Sequence, residues 1–391
     1  MNQTNNTLGG GTSFHPSNWA LYNEGIMTKR PNGSAAFTPV SGSALDWGLL
    51  YAQTSFVDRK HNNRRVQWGW AREDLPGGDI LKQQGFQGAF ALPRELFAHV
   101  TKGLLDPDRE LQSSGAYVTK GPNGTFTASV LGIKPLSDVV QGIRKGARKI
   151  NFSRENVQSA IKILQATGSM HMELSATLRS VAGQVGFIIA ASPNREEQTL
   201  VYYDTSNNRV VVDRKYSTTL KGFSAAPTYG FFYPYILSTG PEDLNIRIFL
   251  DGSLLEVYIN DRFALTTRIY PSRDDSTGFG VFVGNGGSAV FDSIEAWMDT
   301  VNVWPERPLN SSSQLLFDTP YQTNNYQVSM TRFCSVLDDT DQYKNSGGLA
   351  TKPRSWRKDD AATQQPNQHK PLSSYQFGFN VHSEFITSNR S

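Results

Sequence analysis

Trp68 and Trp70 stand one residue apart in "RRVQWGWARED" (residues 64–74), with Gly69 between them and Glu73 three residues after the second. On a strand, side chains alternate with period 2, so both indoles point one way and Gly69 leaves the opposite face bare. Two uses fit such a pair. The indoles can pack between sheets as part of a core. Alternatively they form a carbohydrate platform: aromatic faces pack on the apolar faces of sugars, and Glu73 accepts bonds from hydroxyls at the ring edge. A second carboxylate, Asp46, precedes Trp47-Gly48 in "ALDWGLLYAQTSFVD" (residues 44–58). Asp in such a place either closes a turn with its own side chain or serves as a loop-borne sugar ligand.

Other chemistries have little support. The six His and one Cys show no metal-ligand spacing such as H-E-x-x-H or C-x-x-C, so neither a metal nor a cofactor is expected. "GGSAV" lacks the Lys-Ser/Thr of a phosphate loop, and no G-x-S-x-G marks a serine hydrolase. Cys334 has no His beside it in sequence to activate it.

The elements that must position these residues are β-strands. The 391 residues are 38% hydrophobic, 19% charged and 11% aromatic, with short apolar runs separated by Gly and Pro, a pattern that favours β-structure. A formal net charge of +3, with Lys and Arg scattered among Asp and Glu, gives no basic stripe for nucleic acid. No run approaches the ~20 apolar residues of a membrane span. Residues 1–13 read as a flexible, Gly-rich lead-in without the features of a secretory signal. Seven N-x-[ST] sequons (Asn2, Asn5, Asn32, Asn123, Asn151, Asn310 and Asn389) are weak evidence for secretion.

Residues 14–103 carry strand-like runs that suggest one propeller blade or a small sheet. Residues 104–168 look mixed and are read as a connector. Within them "SRENVQSAIKILQAT" places Val157, Ile161 and Leu164 at i, i+4 and i+7, which permits a short helix. Residues 169–305 show strands about ten residues apart, the pattern of a two-sheet sandwich. In "LLEVYIN", Leu255, Val257 and Ile259 share one face, and Glu256 and Tyr258 the other. Residues 306–391 form a polar tail with few apolar residues and are expected to be disordered.

Five ordered segments resemble glycoside hydrolase family 32, the invertases, inulinases, levanases and fructosyltransferases. They are Asp46-Trp47-Gly48 with "YAQTSFVD", Arg64-Arg65 with "WGWARE", "GFQGAFALPREL", "VVVDRKYS" and "LDGSLLEVYINDRFALTTRIYPS". The wording is most similar to fungal β-fructofuranosidases or fructosyltransferases, and it covers about residues 14–300. The resemblance implies an all-β fold: a five-bladed β-propeller followed by a β-sandwich. It implies β-fructosides as partners, a secreted full-length enzyme, and retaining chemistry through two carboxyl groups about 5 Å apart.

The family's three catalytic carboxylates lie in W-x-N-D-P, R-D-P and E-C motifs, and this sequence contains none of them. The resemblance therefore leads to the expectation of the C-terminal part only, about the last blade plus the sandwich, with no catalytic residue and no fructoside cleavage by this chain alone. It also assigns Asp46, Trp68, Trp70 and Glu73 to substrate binding. Leu49 stands where plant relatives carry a Lys that pairs with the Asp, which would leave Asp46 open to a substrate hydroxyl. The alternative is a non-enzymatic carbohydrate-binding or interaction sandwich. A blade without neighbours should expose apolar sheet faces.

Overall fold

The computed structural model describes residues 20–73, 88–105 and 115–300. The expected lead-in (1–13) and polar tail (306–391) lie outside the described residues. The chain opens with a hairpin, β1 (Leu21–Lys29) and β2 (Ala35–Ala44), turned at Asn32-Gly33, where Gly33 takes φ +85°.

Among the described residues, six strands follow: β3 (Leu50–Asp58), β4 (Arg64–Ala71), β5 (Ala89–Phe90), β6 (Arg94–Leu104), β7 (Tyr117–Lys120) and β8 (Phe126–Pro135). They form one antiparallel sheet in the order β3-β4-β6-β8-β7, with β5 paired to β4. β3, β4, β6 and β8 lie side by side, each antiparallel to the next, as the four strands of a propeller blade do, and β7 adds an outer strand on β8. The turn between β3 and β4 is made by Asn62 and Asn63, both at φ 55°, a conformation Asn tolerates better than most residues.

A short helix, α1 (Ser137–Ile143), leads out of the blade. Next come β9 (Arg148–Asn151), β10 (Glu155–Gln158), β11 (Ile161–Gln165), β12 (His171–Ala182), β13 (Gln184–Ala191), β14 (Gln198–Asp204), β15 (Arg209–Tyr216) and β16 (Thr228–Phe231). The last strands are β17 (Ile236–Leu237), β18 (Gly240–Pro241), β19 (Leu244–Asp251), β20 (Leu254–Ile259), β21 (Phe263–Arg268), β22 (Gly278–Val283) and β23 (Ser288–Met298). Two sheets form the sandwich. One runs β10-β23-β12-β19-β20-β21 with β9 on β23; the other runs β11-β22-β13-β14-β15-β16. β17 and β18 extend the blade sheet through Leu237 opposite Leu104.

The sandwich core comes from alternating positions of both sheets, among them Leu174, Leu178, Phe187, Val201, Val257, Phe279 and Phe291. β20 and β21 are buried at every position, because the sandwich core covers one face and the blade side the other; β22 is buried throughout as well. In β20, Leu255, Val257 and Ile259 enter that core, as their spacing predicts, while Tyr258 enters a second cluster with Ile133 of β8 and Val140 of α1. The blade and the helix thus lie against the outer face of the first sandwich sheet.

Two sequence expectations need correction. Residues 104–168 are not a connector: β8 pairs with β6 along its whole length, and β9, β10 and β11 belong to the sandwich. The sandwich therefore begins near residue 148 rather than 169. The helix expected around Val157, Ile161 and Leu164 is two strands in different sheets. Ser159, at φ 43°, breaks the chain between them, so the helical spacing arose from joining two short alternating runs.

Candidate functional site

The segment Asp46-Trp47-Gly48-Leu49 runs beside β21 and is stitched to it: Trp47 N donates to Ala264 O (3.0 Å) and Leu49 N to Thr266 O (2.9 Å). Gly48 lies so close to Thr266 that a Cβ would overlap its carbonyl. The Trp47 indole enters the sandwich core between Phe231 and Phe263, in the space that the missing side chain of Gly230 leaves.

Asp46 closes its own turn, accepting from Gly48 N (2.8 Å), and does more. Oδ1 also accepts from Thr266 N (3.1 Å), and Oδ2 from Thr266 Oγ1 (2.7 Å) and Arg94 Nη1 (2.8 Å). Arg94 Nη2 bridges on to Glu256 Oε2 (2.9 Å) and Thr266 Oγ1 (2.6 Å). Glu256 accepts further from Leu92 N and the Tyr258 hydroxyl. These groups are buried. Burial works against the Arg94 cation, but Tyr258, Asp46 and Glu256 outweigh it and hold the guanidinium more firmly protonated than usual. Burial, reinforced by Glu256, pushes the Tyr258 phenol well up, so it stays a donor.

Glu73 has a parallel role. Its side chain is 4% exposed and lies 3.2 Å from Arg268 Nη2; Oε1 accepts from Gly88 N (3.0 Å) and Oε2 from the Tyr270 hydroxyl (2.5 Å). Arg268 also donates to Ala71 O and Ser253 Oγ. Burial lowers the Arg268 pKa, and Glu73 opposes that shift. A buried cation in the sandwich needs a carboxylate from the blade, and Glu73 supplies it.

The expectations for the two carboxylates are therefore corrected. Asp46 is not open to a substrate hydroxyl: its lone pairs are taken by four protein donors, and Leu49, instead of leaving it exposed, packs with Leu50, Ala71, Ala91 and Leu254 in the seam. Glu73 does not offer a free carboxylate to a sugar: its side chain is buried between blade and sandwich, against Arg268 and the Tyr270 hydroxyl. The arginines that bind them, Arg94 and Arg268, lay in the "LPREL" and "LTTRIYPS" segments without a role assigned from sequence. The signal available was Glu256 with Tyr258 on the non-core face of β20.

The tryptophans behave differently. Trp68 and Trp70 point the same way, as the spacing predicts, and are 39% and 38% exposed. Gly69 faces inward, where a Cβ would collide with the Leu50 side chain. Tyr51 pairs with Trp70 from β3, and Phe90 from β5. The Trp68 and Phe90 rings meet edge to face at 5.4 Å. Gly88, at φ +79°, lets the backbone pass the Trp70 indole, where a Cβ would overlap it. The result is an apolar aromatic surface, open to solvent, on a blade that is locked from behind. Among the described residues no group of His, Cys, Asp and Glu could hold a metal, and no helix is long and apolar enough to cross a membrane.

An antiparallel sheet clamped to a two-sheet β-sandwich gives the described residues an almost entirely β architecture. The chain belongs to glycoside hydrolase family 32: residues 12–106 match the glycosyl hydrolases family 32 N-terminal domain, and residues 139–298 the family 32 C-terminal model. A beta-fructofuranosidase, insoluble isoenzyme 7, of Oryza sativa subsp. indica is 27% identical over 281 residues, which is 66% of this chain and 46% of the relative. A fructan 1-exohydrolase of Aegilops speltoides is 28% identical over 278 residues, 65% of this chain and 44% of the relative. The crystal structure of a fructosyltransferase from A. japonicus matches with a TM-score of 0.67 at 26% identity, over 77% of this chain and 53% of that one. A beta-fructofuranosidase from Aspergillus kawachii, complexed with glycerol, matches with a TM-score of 0.66 at 25% identity, over 73% of this chain and 52% of that one. The chain thus spans about half the length of these relatives.

Proposed function

We propose that this chain presents one wall of a β-fructoside site and, alone, holds the sugar without cleaving it. The observation that carries this is the division of labour around the seam. The indoles of Trp68 and Trp70 face solvent, while Asp46 and Glu73 are saturated by protein donors. Aromatic faces with solvent beside them suit the C–H faces of a furanoside ring. Retaining hydrolysis needs a free nucleophile and a free acid/base about 5 Å apart. Neither motif carboxylate is free, and the family's three catalytic motifs do not occur in the sequence. The relatives' names supply the substrate class: fructofuranosidase, fructan exohydrolase and fructosyltransferase.

In this reading the chain is the C-terminal part of the family architecture, about the last blade with its sandwich, and it works outside the cell. Three sequons among the described residues, Asn32, Asn123 and Asn151, are exposed, which suits a secreted setting.

A second reading is favoured by other exposed side chains. Ile26, Phe37 and Phe56 are 53%, 39% and 53% exposed, so the hairpin and blade could serve as an interaction surface for a separately supplied catalytic portion. Incubating the purified chain with sucrose or 1-kestose tests the main reading: it predicts saturable binding and no fructose release. Release at an ordinary enzymatic rate would overturn it. Absence of sugar binding would favour the interaction reading.

A further inference from the structure

The outer face of the second sandwich sheet carries a feature separate from the blade. Strand register places Ile161, Phe282, Gly186, Tyr202, Val211 and Tyr229 in one row across β11, β22, β13, β14, β15 and β16. Each strand of the sheet contributes one member. Gly186 is small where the row needs room: the rings of Tyr202 and Phe282 meet across it with centroids 5.4 Å apart. Over the Tyr202 to Tyr229 stretch lies a trough of 480 Å³, walled by Ala225 and Pro227. Neighbouring strands are ~4.8 Å apart, so the two tyrosines stand roughly 10 Å from one another. That separation lets them meet different rings of one chain.

Polar side chains edge this floor on both sides. Gln184, Asp204 and Arg209 lie opposite one another in the next row, and Asp213 and Lys215 continue β15 on the other side. The Arg209 guanidinium has no carboxylate partner among the described residues; it lies over the Tyr229 ring at 4.5 Å and the Phe231 ring at 5.2 Å. Its Nε is buried without a hydrogen-bond acceptor. Asp204, by contrast, is engaged by Ser206, Gln184 and Asn207. Burial, with Asp213 and Asp204 adding to it, pushes the Tyr202 phenol up to about 12, so its hydroxyl is a proton donor at any ordinary pH.

We infer that this trough is a second carbohydrate-binding site, taking a neutral oligosaccharide chain across the sheet. Charge of both signs along the rims disfavours a polyanion and a cation alike. A ligand that is apolar on its ring faces and both donor and acceptor on its edges matches an aromatic floor with mixed polar rims. The site is independent of the blade wall, because it rests on the opposite sheet of the sandwich and shares no residue with it.

The test is calorimetric titration of the whole chain carrying Trp68→Ala and Trp70→Ala, which removes the blade wall and leaves the trough. Nystose and cellotetraose are the probes, and they distinguish a fructan from a β-glucan ligand. The inference predicts saturable binding of at least one of them. Adding Tyr202→Ala and Tyr229→Ala should weaken it at least tenfold. Arg209→Gln, which keeps the floor intact, should weaken it at least threefold with an unchanged melting temperature; this variant decides the matter if the tyrosine changes disturb folding. Failure of both sugars to bind, or unchanged affinity in the folded variants, would overturn the inference without touching the blade reading.

Discussion

Arg94 of blade strand β6 donates to Glu256 of sandwich strand β20 across 2.9 Å, and both side chains are almost wholly buried. The two residues are 162 positions apart in the chain. Desolvating a guanidinium and a carboxylate is costly, and the remaining donors and acceptors of the seam offset that cost. Asp46, Thr266 and Tyr258 complete the set, so the family's Asp-Trp-Gly segment is half of a clamp whose other half is in the sandwich.

Removing one member of the clamp should cost far more than removing a surface ion pair. Arg94→Met leaves Asp46 and Glu256 buried together without their cation, and about 3–5 kcal/mol of stability should be lost. Urea unfolding of Arg94→Met, Glu256→Gln and the double variant checks this. The cycle should give a coupling of at least ~1 kcal/mol, since the two groups share one network. Additive effects would mean that the pair does not act as a unit.

Packing at Trp47 makes a second prediction. Gly230→Ala puts a methyl group where the indole already stands, and overpacking of this kind costs about 1–3 kcal/mol. Trp47→Ala empties the same place from the other side and should cost about 3–5 kcal/mol. Thermal melts of both single variants should show clear loss. In the double variant the overlap no longer exists, so Gly230→Ala should add little to the cost of Trp47→Ala.

Acid stability should depend on Glu197. Burial raises its pKa, but the Ser272 and Ser276 hydroxyls, with backbone N–H groups of Ser272 and Thr219, outweigh burial and bring it below the ordinary glutamate value of 4.5. A depressed carboxyl contributes stability that is present above the unfolded value and is lost as pH falls through the folded one. The wild-type chain should therefore lose stability below about pH 4.5. Glu197→Gln should be less stable at pH 7 and show a flatter profile in that acid range. Unfolding curves at pH 7, 5, 4 and 3 provide the comparison.

The tryptophans should behave in the opposite way to the carboxylates. Trp68→Ala and Trp70→Ala remove exposed rings, so each should change stability by less than about 1 kcal/mol. Both should weaken fructoside binding. Asp46→Ala and Glu73→Ala should show the reverse order of effects, with lowered melting temperatures from the loss of buried partners.

Much of this was legible in the sequence. The common face of Trp68 and Trp70 follows from period 2 alone, and the Leu255, Val257, Ile259 face of β20 does too. The family pattern in residues 44–73 was visible as well. What could not be read was which carboxylates are free. Asp46 looks like a loop ligand until Arg94 and Thr266 arrive, one of them from a strand more than 200 residues away. Glu73 looks like a pocket residue until Arg268 is placed behind it. Long-range ion pairs leave no local periodicity, and only Glu256 and Tyr258 on the non-core face of β20 hinted at them. The helical spacing within residues 153–167 has a different cause. Two four- or five-residue strands joined by a break can imitate a helical repeat over eight positions.

The central claim is that the indoles, not the motif carboxylates, meet the sugar. Titrating the purified chain with 1-kestose while following tryptophan fluorescence tests it most directly, with the Trp68→Ala/Trp70→Ala variant measured alongside. A saturable change in the wild-type chain that disappears in the variant, with melting temperatures matched, is the result this account predicts. A variant that binds 1-kestose in calorimetry as tightly as the wild-type chain, even with the trough tyrosines also replaced, would contradict it.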